Sequence, residues 1–319
     1  LDVSIIIVNW NTKELLRGCL TSVYEQTVDL DFGVIVVDNA STDGSAEMVR
    51  NDFPQAMLIQ NTKNCGFAAA NNQAIAVAKG RYILLLNSDT VILDRAIEKT
   101  ISFANENPKA GAIGCRVINP DGTLQETCFM FPSILNMLLS STYLYKIFPK
   151  NKFFGREQMT WWDRNDVREV DVITGCFILV RREAIEQVGI LDERFFMYCE
   201  ETDWCYRLKK KEWKVMFAPV GQIIHYGGRS TRQRRAEMIL QLRGSILLFI
   251  KKHKGFLSQV ITRLLTALFF FLRVPYWITV GIIRRGKRSE SIRTAATYWV
   301  GGIHCLVNWK KLLINKVEI

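Results

Sequence analysis

Residues 34–45, VIVVDNASTDGS, decide the fold. Val34 to Val37 are apolar in an unbroken run and read as a buried strand. The strand stops at Asp38. Asn39, Ser41, Thr42, Asp43 and Gly44 supply turn chemistry, and a helix is expected from Ser45. A carboxylate at the C-terminal end of a parallel strand sits where open α/β sheets bind ligands. Asp38 is therefore either a ligand group or a turn cap, and this stretch alone supports both readings equally.

Working outward, residues 3–8 form a first hydrophobic strand closed by Asn9, Trp10 and Asn11, with Thr12 placed to cap a helix over 13–26. A helix over 46–52, a strand over 56–60, a loop over 61–67 and an alanine-rich helix over 68–79 come next. A strand over 81–86 then ends at Asn87-Ser88-Asp89, and a helix covers 94–107. Strand and helix alternating this regularly predict an α/β fold with a mostly parallel, doubly wound sheet. After Gly114 the pattern loosens. A strand over 116–119, a turn over 120–123, a mixed stretch over 124–168 and a strand pair within 170–180 are expected. A helix over 182–188, a helix starting near Glu200, a strand over 213–218, a short strand over 223–225 and a basic loop over 227–232 complete the first domain.

Hydrophobic residues make up 49% of the 319-residue chain and charged residues 23%, so a sizeable core is expected and global disorder is excluded. The eight cysteines are scattered without a CxxC pair, which predicts reduced, mostly buried thiols of a cytosolic environment rather than a disulfide or zinc framework. The chain opens directly into a strand pattern, so no signal peptide is expected. Net charge is +11, unevenly spread: residues 227–319 hold 18 Lys/Arg against 3 Asp/Glu, and residues 1–226 hold 24 against 28. The basic C-terminal third points to a polyanionic partner.

Three places can carry chemistry. Asp89, beside Asn87 and Ser88 at a strand end, can hold a hard divalent cation that bridges a diphosphate. Taken singly it reads as a turn or cap residue, but Asp38 ends a strand on the same expected sheet edge. Glu200, Glu201 and Asp203 form an acidic cluster in which positions 200 and 203 share a helix face. Like charges this close raise one another's pKa, which suits a general base, while compensation of the helix dipole is the plainer role. Phe195, Phe196, Tyr198 and Trp204 fit a partly dry pocket or ordinary core. His225, after an apolar strand and before a glycine-rich basic loop, is either structural or within reach of a metal or phosphate.

The ordered segments VSIIIVNWN, VIVVDNASTDGS, NCGFAAANN, LLLNSDT, TGCFILVRREA, FFMYCEETDWCYRL and IIHYGGRST closely resemble the inverting family 2 glycosyltransferases of the GT-A fold, especially the bacterial rhamnosyltransferase-like branch. The resemblance spans roughly residues 3–232. It implies a Rossmann-like GT-A domain over 1–235. Asp38 would contact the nucleoside, with Asn9, Asn64, Gly66, Asn71 and Asn72 in the nucleotide-binding group. The family's DxD-type motif reads Asn87-Ser88-Asp89 here, an amide replacing the first carboxylate. Asp89 and His225 would hold Mg²⁺ or Mn²⁺ on the diphosphate. The family's Glu-Asp base pair reads Glu200-Glu201, which implies Glu201 as base, Glu200 as its alternative and Asp203 orienting a sugar. Arg232 would steady the departing nucleoside diphosphate. The Gln-x-x-Arg-Trp signature of processive members is absent, which implies single sugar addition. Asn87 and Glu201, the two departures, motivate the alternative of a non-catalytic scaffold on a degenerate GT-A fold.

Residues 236–319 form a helical, basic and apolar C-terminal region. The uncharged runs 264–272 and 274–283 flank Arg273, and each is shorter than the ~20 residues that span a bilayer. Pro275 is expected to break or kink the stretch. Apolar body and basic flanks predict in-plane insertion at an anionic membrane, with a dimer interface or a kinked span as alternatives. The expected partners are a dTDP- or UDP-sugar, a polyprenyl-diphosphate-linked glycan and the cytoplasmic face of the plasma membrane. A homodimer is a further expectation, and nucleic acid is not expected.

Overall fold

The computed structural model of the chain describes residues 1–142, 144–227, 235–284, 286 and 288–313. It opens with β1 (Val3–Asn9), α1 (Lys13–Gln26), β2 (Phe32–Asp38), α2 (Ser45–Asp52), β3 (Met57–Gln60), α3 (Phe67–Val77) and β4 (Tyr82–Asn87). β5 (Thr90–Leu93), α4 (Ala96–Glu106), β6 (Ala110–Ile118), β7 (Cys128–Phe129), α5 (Ile134–Thr142) and α6 (Leu144–Ile147) follow. Then come β8 (Arg168–Glu169), β9 (Val172–Ile173), β10 (Phe177–Arg181), α7 (Arg182–Val188), α8 (Glu200–Lys210) and β11 (Lys214–His225). The chain closes with α9 (Arg235–Phe271), α10 (Arg273–Ile283) and α11 (Arg288–Val307).

The main sheet runs β3-β2-β1-β4-β10-β6-β11-β5, with β8 on β11. The first four strands are mutually parallel, as the alternation of strand and helix requires. β10 lies antiparallel between β4 and β6, so the sheet is largely rather than wholly parallel. Period-two alternation splits the strand side chains between two cores. Ile5, Ile7, Val34 and Val36 face α1, α2 and α4, while Ile6, Ile35 and Val37 face α3, α7 and α8. All eight thiols are free, and all but Cys65 are buried.

Four local expectations need correction. Thr12 does not cap α1: its hydroxyl donates to Asn9 Oδ1 at 2.6 Å, and Lys13 N–H donates to Asp43 Oδ2 at 2.8 Å instead. β5 was hidden in the approach to α4, because Thr90–Leu93 is too short to show a period. The strands expected over 213–218 and 223–225 are one strand, since Pro219 and Gly221 read as a break but produce only a register shift against β6. In the tail, Pro275 leaves only a one-residue irregularity at Leu272, where its missing N–H would have bonded the Phe271 carbonyl. The sharp kink lies at Gly255, with φ +83°. The apolar stretch is therefore not cut into two short runs. Among the described residues, one helix, Ala236–Ile283, is long and apolar enough to cross a membrane.

α9 is bolted to the first domain rather than linked loosely beyond residue 235. Gln241 and Ser245 donate to the Met197 carbonyl at 3.2 and 2.9 Å, and Ile246, Phe249 and Ile250 pack on Phe195 and Cys199.

Candidate active site

A cavity of about 370 Å³ opens at the C-terminal edge of β1, β2 and β4. Its walls include Asn39, Asn64 and Gly66, then Asn87, Ser88 and Asp89, then Glu200 and Glu201, with His225 beside them. The sequence-predicted groups of four distant segments thus meet in one space. Trp10, Gln125, Tyr198 and Met238 also line it. Tyr198 was expected in a partly dry pocket, but Gln125 and Met238 had no expected role: Gln125 lies in the loosely patterned stretch, and Met238 belongs to α9.

Strand register builds the Asp89–His225 corner. β5 pairs antiparallel with β11 so that Thr90 stands opposite His225, and Tyr226 N–H donates to the Asp89 carbonyl at 2.9 Å. His225 Nε2 then lies 3.2 Å from Asp89 Oδ1 and 3.2 Å from Asn87 Nδ2. On its other side, His225 Nδ1 is 2.6 Å from Gln125 Oε1, while Gln125 Nε2 donates to Asn119 Oδ1 at 2.8 Å. That second bond fixes the amide, so Oε1 accepts and Nδ1 carries the proton. In the neutral ring the Nε2 lone pair then lies on the side of Asp89. One carboxylate and one oriented imidazole suit a small divalent cation that takes its remaining ligands from phosphate and water. Among the described residues, no group of three or more His, Cys, Asp or Glu side chains is gathered to enclose a metal.

The opposite wall is the start of α8. Tyr198 and Cys199 both adopt left-handed backbone, with φ of +69° and +67°, and so turn the chain abruptly into the helix. Two non-glycine residues in this region cost about 1–3 kcal/mol each and persist only where the surroundings over-determine them. Glu200 is buried, and its Oε2 has no hydrogen-bond partner among the described residues. Burial first, and the neighbouring Glu201 second, push its carboxyl well above the usual range. Glu201 is raised less, to about 6, because burial is opposed by hydrogen bonds from its own backbone and from Glu200. Burial and mutual repulsion thus raise Glu200 further than Glu201, which leaves Glu201 the more readily ionised of the two.

Asp203 has a different job from the one expected. It is fully buried and is not among the cavity walls. Its oxygens accept from Arg207 Nε at 2.7 Å, Lys252 Nζ at 2.6 Å and His253 Nε2 at 2.7 Å. Burial works against its charge, but these partners outweigh burial and hold its pKa below the usual value. Asp203 ties α8 to α9 and cannot touch a sugar in the cavity.

Asp38 is also buried and off the wall. It accepts from Ser41 N–H at 3.0 Å and Asn9 Nδ2 at 3.3 Å, which is the turn-cap arrangement. Its neighbour Asn39 reaches the cavity, donating to Asn64 Oδ1 at 2.8 Å and accepting from Cys65 N–H at 3.0 Å. Asn9, Asn71 and Asn72 are buried away from the cavity. Asn71 donates to the Phe67 carbonyl at 2.8 Å, and Asn72 to that of Leu191 at 2.9 Å. Gly66 has φ +86° and ψ 171°, and a Cβ there would stand 2.5 Å from the Phe196 carbonyl. Arg232 lies outside the described residues.

Comparison with known proteins matches residues 4–189 to the family described as glycosyl transferase family 2. An N-acetylglucosaminyl-diphospho-decaprenol L-rhamnosyltransferase of Mycobacterium tuberculosis is 27% identical over 234 residues, covering 70% of this chain and 76% of the relative. A low-salt glycan biosynthesis hexosyltransferase of Haloferax volcanii is 26% identical over 229 residues, covering 70% and 67%. Among solved structures, a mannosyltransferase of Pyrobaculum calidifontis in complex with GDP-Man and Mn²⁺ superposes with a TM-score of 0.54 at 16% identity, covering 96% of this chain and 87% of the other. GalNAc-T7 with UDP, GalNAc and Mn²⁺ gives 0.53 at 15% identity, over 70% and 44%. These likenesses bear out the GT-A fold.

Proposed function

The chain belongs to glycosyl transferase family 2 and is a glycosyltransferase, and from that premise we propose that it adds a single sugar to a polyprenyl-diphosphate-linked glycan. The donor in this reading is a dTDP- or UDP-sugar, with rhamnose as the first candidate. Support comes from the relative that carries a rhamnosyl group to a diphospho-decaprenol acceptor. The observation that carries the reading is the single cavity shared by Asp89, His225 and the Glu200–Glu201 pair.

In the proposed reaction the nucleoside lies against Asn39, Asn64 and Gly66, with Asp38 and Asn9 bracing the loop behind them. Asp89 and His225 would hold Mg²⁺ or Mn²⁺, which supplies positive charge to the diphosphate as the sugar leaves. Glu201 accepts the proton of the acceptor hydroxyl as its oxygen bonds to the anomeric carbon from the face opposite the diphosphate. The bond from that carbon to the phosphate oxygen breaks in the same step, so configuration inverts. Glu200 stays protonated and keeps its neighbour ionised. The apolar and basic region beyond residue 256 rests in the plane of an anionic membrane at its cytoplasmic face, beside the lipid-linked acceptor.

Calorimetric titration with a panel of nucleotide sugars, with and without Mn²⁺, tests the donor half. One donor is expected to bind with metal-dependent affinity. If no member of the panel binds in either condition, the proposal fails.

A further inference from the structure

The stretch after α5, residues 144–154, reads LYKIFPKNKFF and has no acidic residue against Lys146, Lys150 and Lys152. A soluble surface would hide its large apolar side chains, yet Ile147 is 65% exposed, Phe148 50% and Phe153 53%. Phe154 lies between the two phenylalanines, with ring centroids 5.6 Å from Phe148 and 5.5 Å from Phe153, so the rings form one cluster at the surface. Aromatic tips ringed by lysines are the pattern of a segment that dips into the headgroup layer.

Position supports the same occupant. Arg273 Nη2 donates to the Ser141 carbonyl at 3.4 Å, which sets the end of α5 beside the start of α10. The stripe facing outward there is Leu264, Leu268, Leu272 and Tyr276, one helical turn apart and each about half exposed or more. The segment 144–154 thus runs on from a helix end that is held beside the start of α10.

We propose that residues 144–154 are a second membrane-contacting element, inserted beside the tail into an anionic bilayer. The inference rests on the membrane reading given under the proposed function and adds an element to it. An anionic bilayer is the occupant because the exposed charges on 144–154 are all positive and the neighbouring tail is strongly basic.

The test is vesicle co-sedimentation of the full chain with phosphatidylglycerol-containing vesicles and with neutral phosphatidylcholine vesicles. Three proteins are compared: wild type, the triple variant Ile147→Ser, Phe148→Ser and Phe153→Ser, and the tail variant Leu268→Ser, Leu272→Ser and Tyr276→Ser. Thermal melting and nucleotide-sugar binding confirm that each is folded, and a poorly folded triple variant is replaced by Lys146→Gln, Lys150→Gln and Lys152→Gln. Wild type is expected to bind anionic vesicles, with the 147/148/153 variant about tenfold or more weaker by loss of apolar contact. If only the tail variant weakens, this inference is overturned and the tail reading stands. If wild type binds no vesicles, both fail. If the 147/148/153 variant instead abolishes a dimer seen by analytical ultracentrifugation, the occupant is a second copy and the inference is overturned.

Discussion

Glu201→Gln replaces the more readily ionised member of the Glu200–Glu201 pair with a group of the same shape that cannot take a proton. Removing a general base costs about 10²–10⁴ in rate, or about 3–5 kcal/mol of transition-state stabilisation. Glu201 has its pKa raised to about 6. A base works when ionised, so wild-type turnover must fall as pH drops through that value. The ionised fraction changes from ~91% at pH 7 to ~9% at pH 5, a loss of about tenfold. The assay is kcat at saturating donor and acceptor from pH 5 to 8, for wild type, Glu201→Gln and Glu200→Gln. Glu201→Gln should be slower by at least about a hundredfold and lose the acid limb. Glu200→Gln can still donate to Glu201, so its limb should persist. If Glu201→Gln keeps near-wild-type turnover with an acid limb near 6, the base is another group. If Glu200→Gln alone flattens the profile, the roles within the pair are reversed.

Asp203→Asn should lower stability by about 3 kcal/mol, the low end for breaking a buried ion pair because Lys252 and Arg207 stay partly hydrated, as measured by urea unfolding. Because the folded-state pKa of Asp203 is lowered, its contribution is present above the unfolded value near ~3.9 and is lost as pH falls through the folded value, so wild type and variant should converge in acid. Gln125→Leu removes the acceptor that orients His225 and should weaken Mn²⁺ binding by about 10–100-fold in electron paramagnetic resonance titrations. Gly66→Ala puts a Cβ against the Phe196 carbonyl in a backbone region reserved for glycine. It should cost about 1–3 kcal/mol or more in thermal melting and disturb donor binding through the segment leading to Glu200.

The parallel half of the sheet was legible because each strand is an apolar run ended by turn residues, and its helices keep one apolar face. The insertion of β10 between β4 and β6 was not legible, since local patterning carries no information on which distant strands pair. The convergence of Asp89, His225 and Glu201 could be read from the ordered motifs. The division of labour within those motifs could not. VIVVDNASTDGS offers Asp38, Asn39 and Asp43 with equal chemistry, and only packing shows that Asp38 caps, Asp43 holds the start of α1, and Asn39 reaches the cavity. Asp203 misled for the same reason. Its spacing from Glu200 is right for one helix face, but Lys252 and His253 arrive from 49 and 50 residues downstream to claim it. Gln125 carried no signal, because its role exists only through the register that brings His225 to Asp89.

The central claim is that one cavity joins a metal-dependent donor site at Asp89 and His225 to a base at Glu201. Single-turnover transfer from the matching nucleotide sugar to a polyprenyl-diphosphate-linked glycan tests it most directly, in wild type with Mn²⁺, in wild type with chelator, and in Asp89→Ala with Mn²⁺. Product should form only in the first. Undiminished transfer by Asp89→Ala or in the presence of chelator would contradict the account.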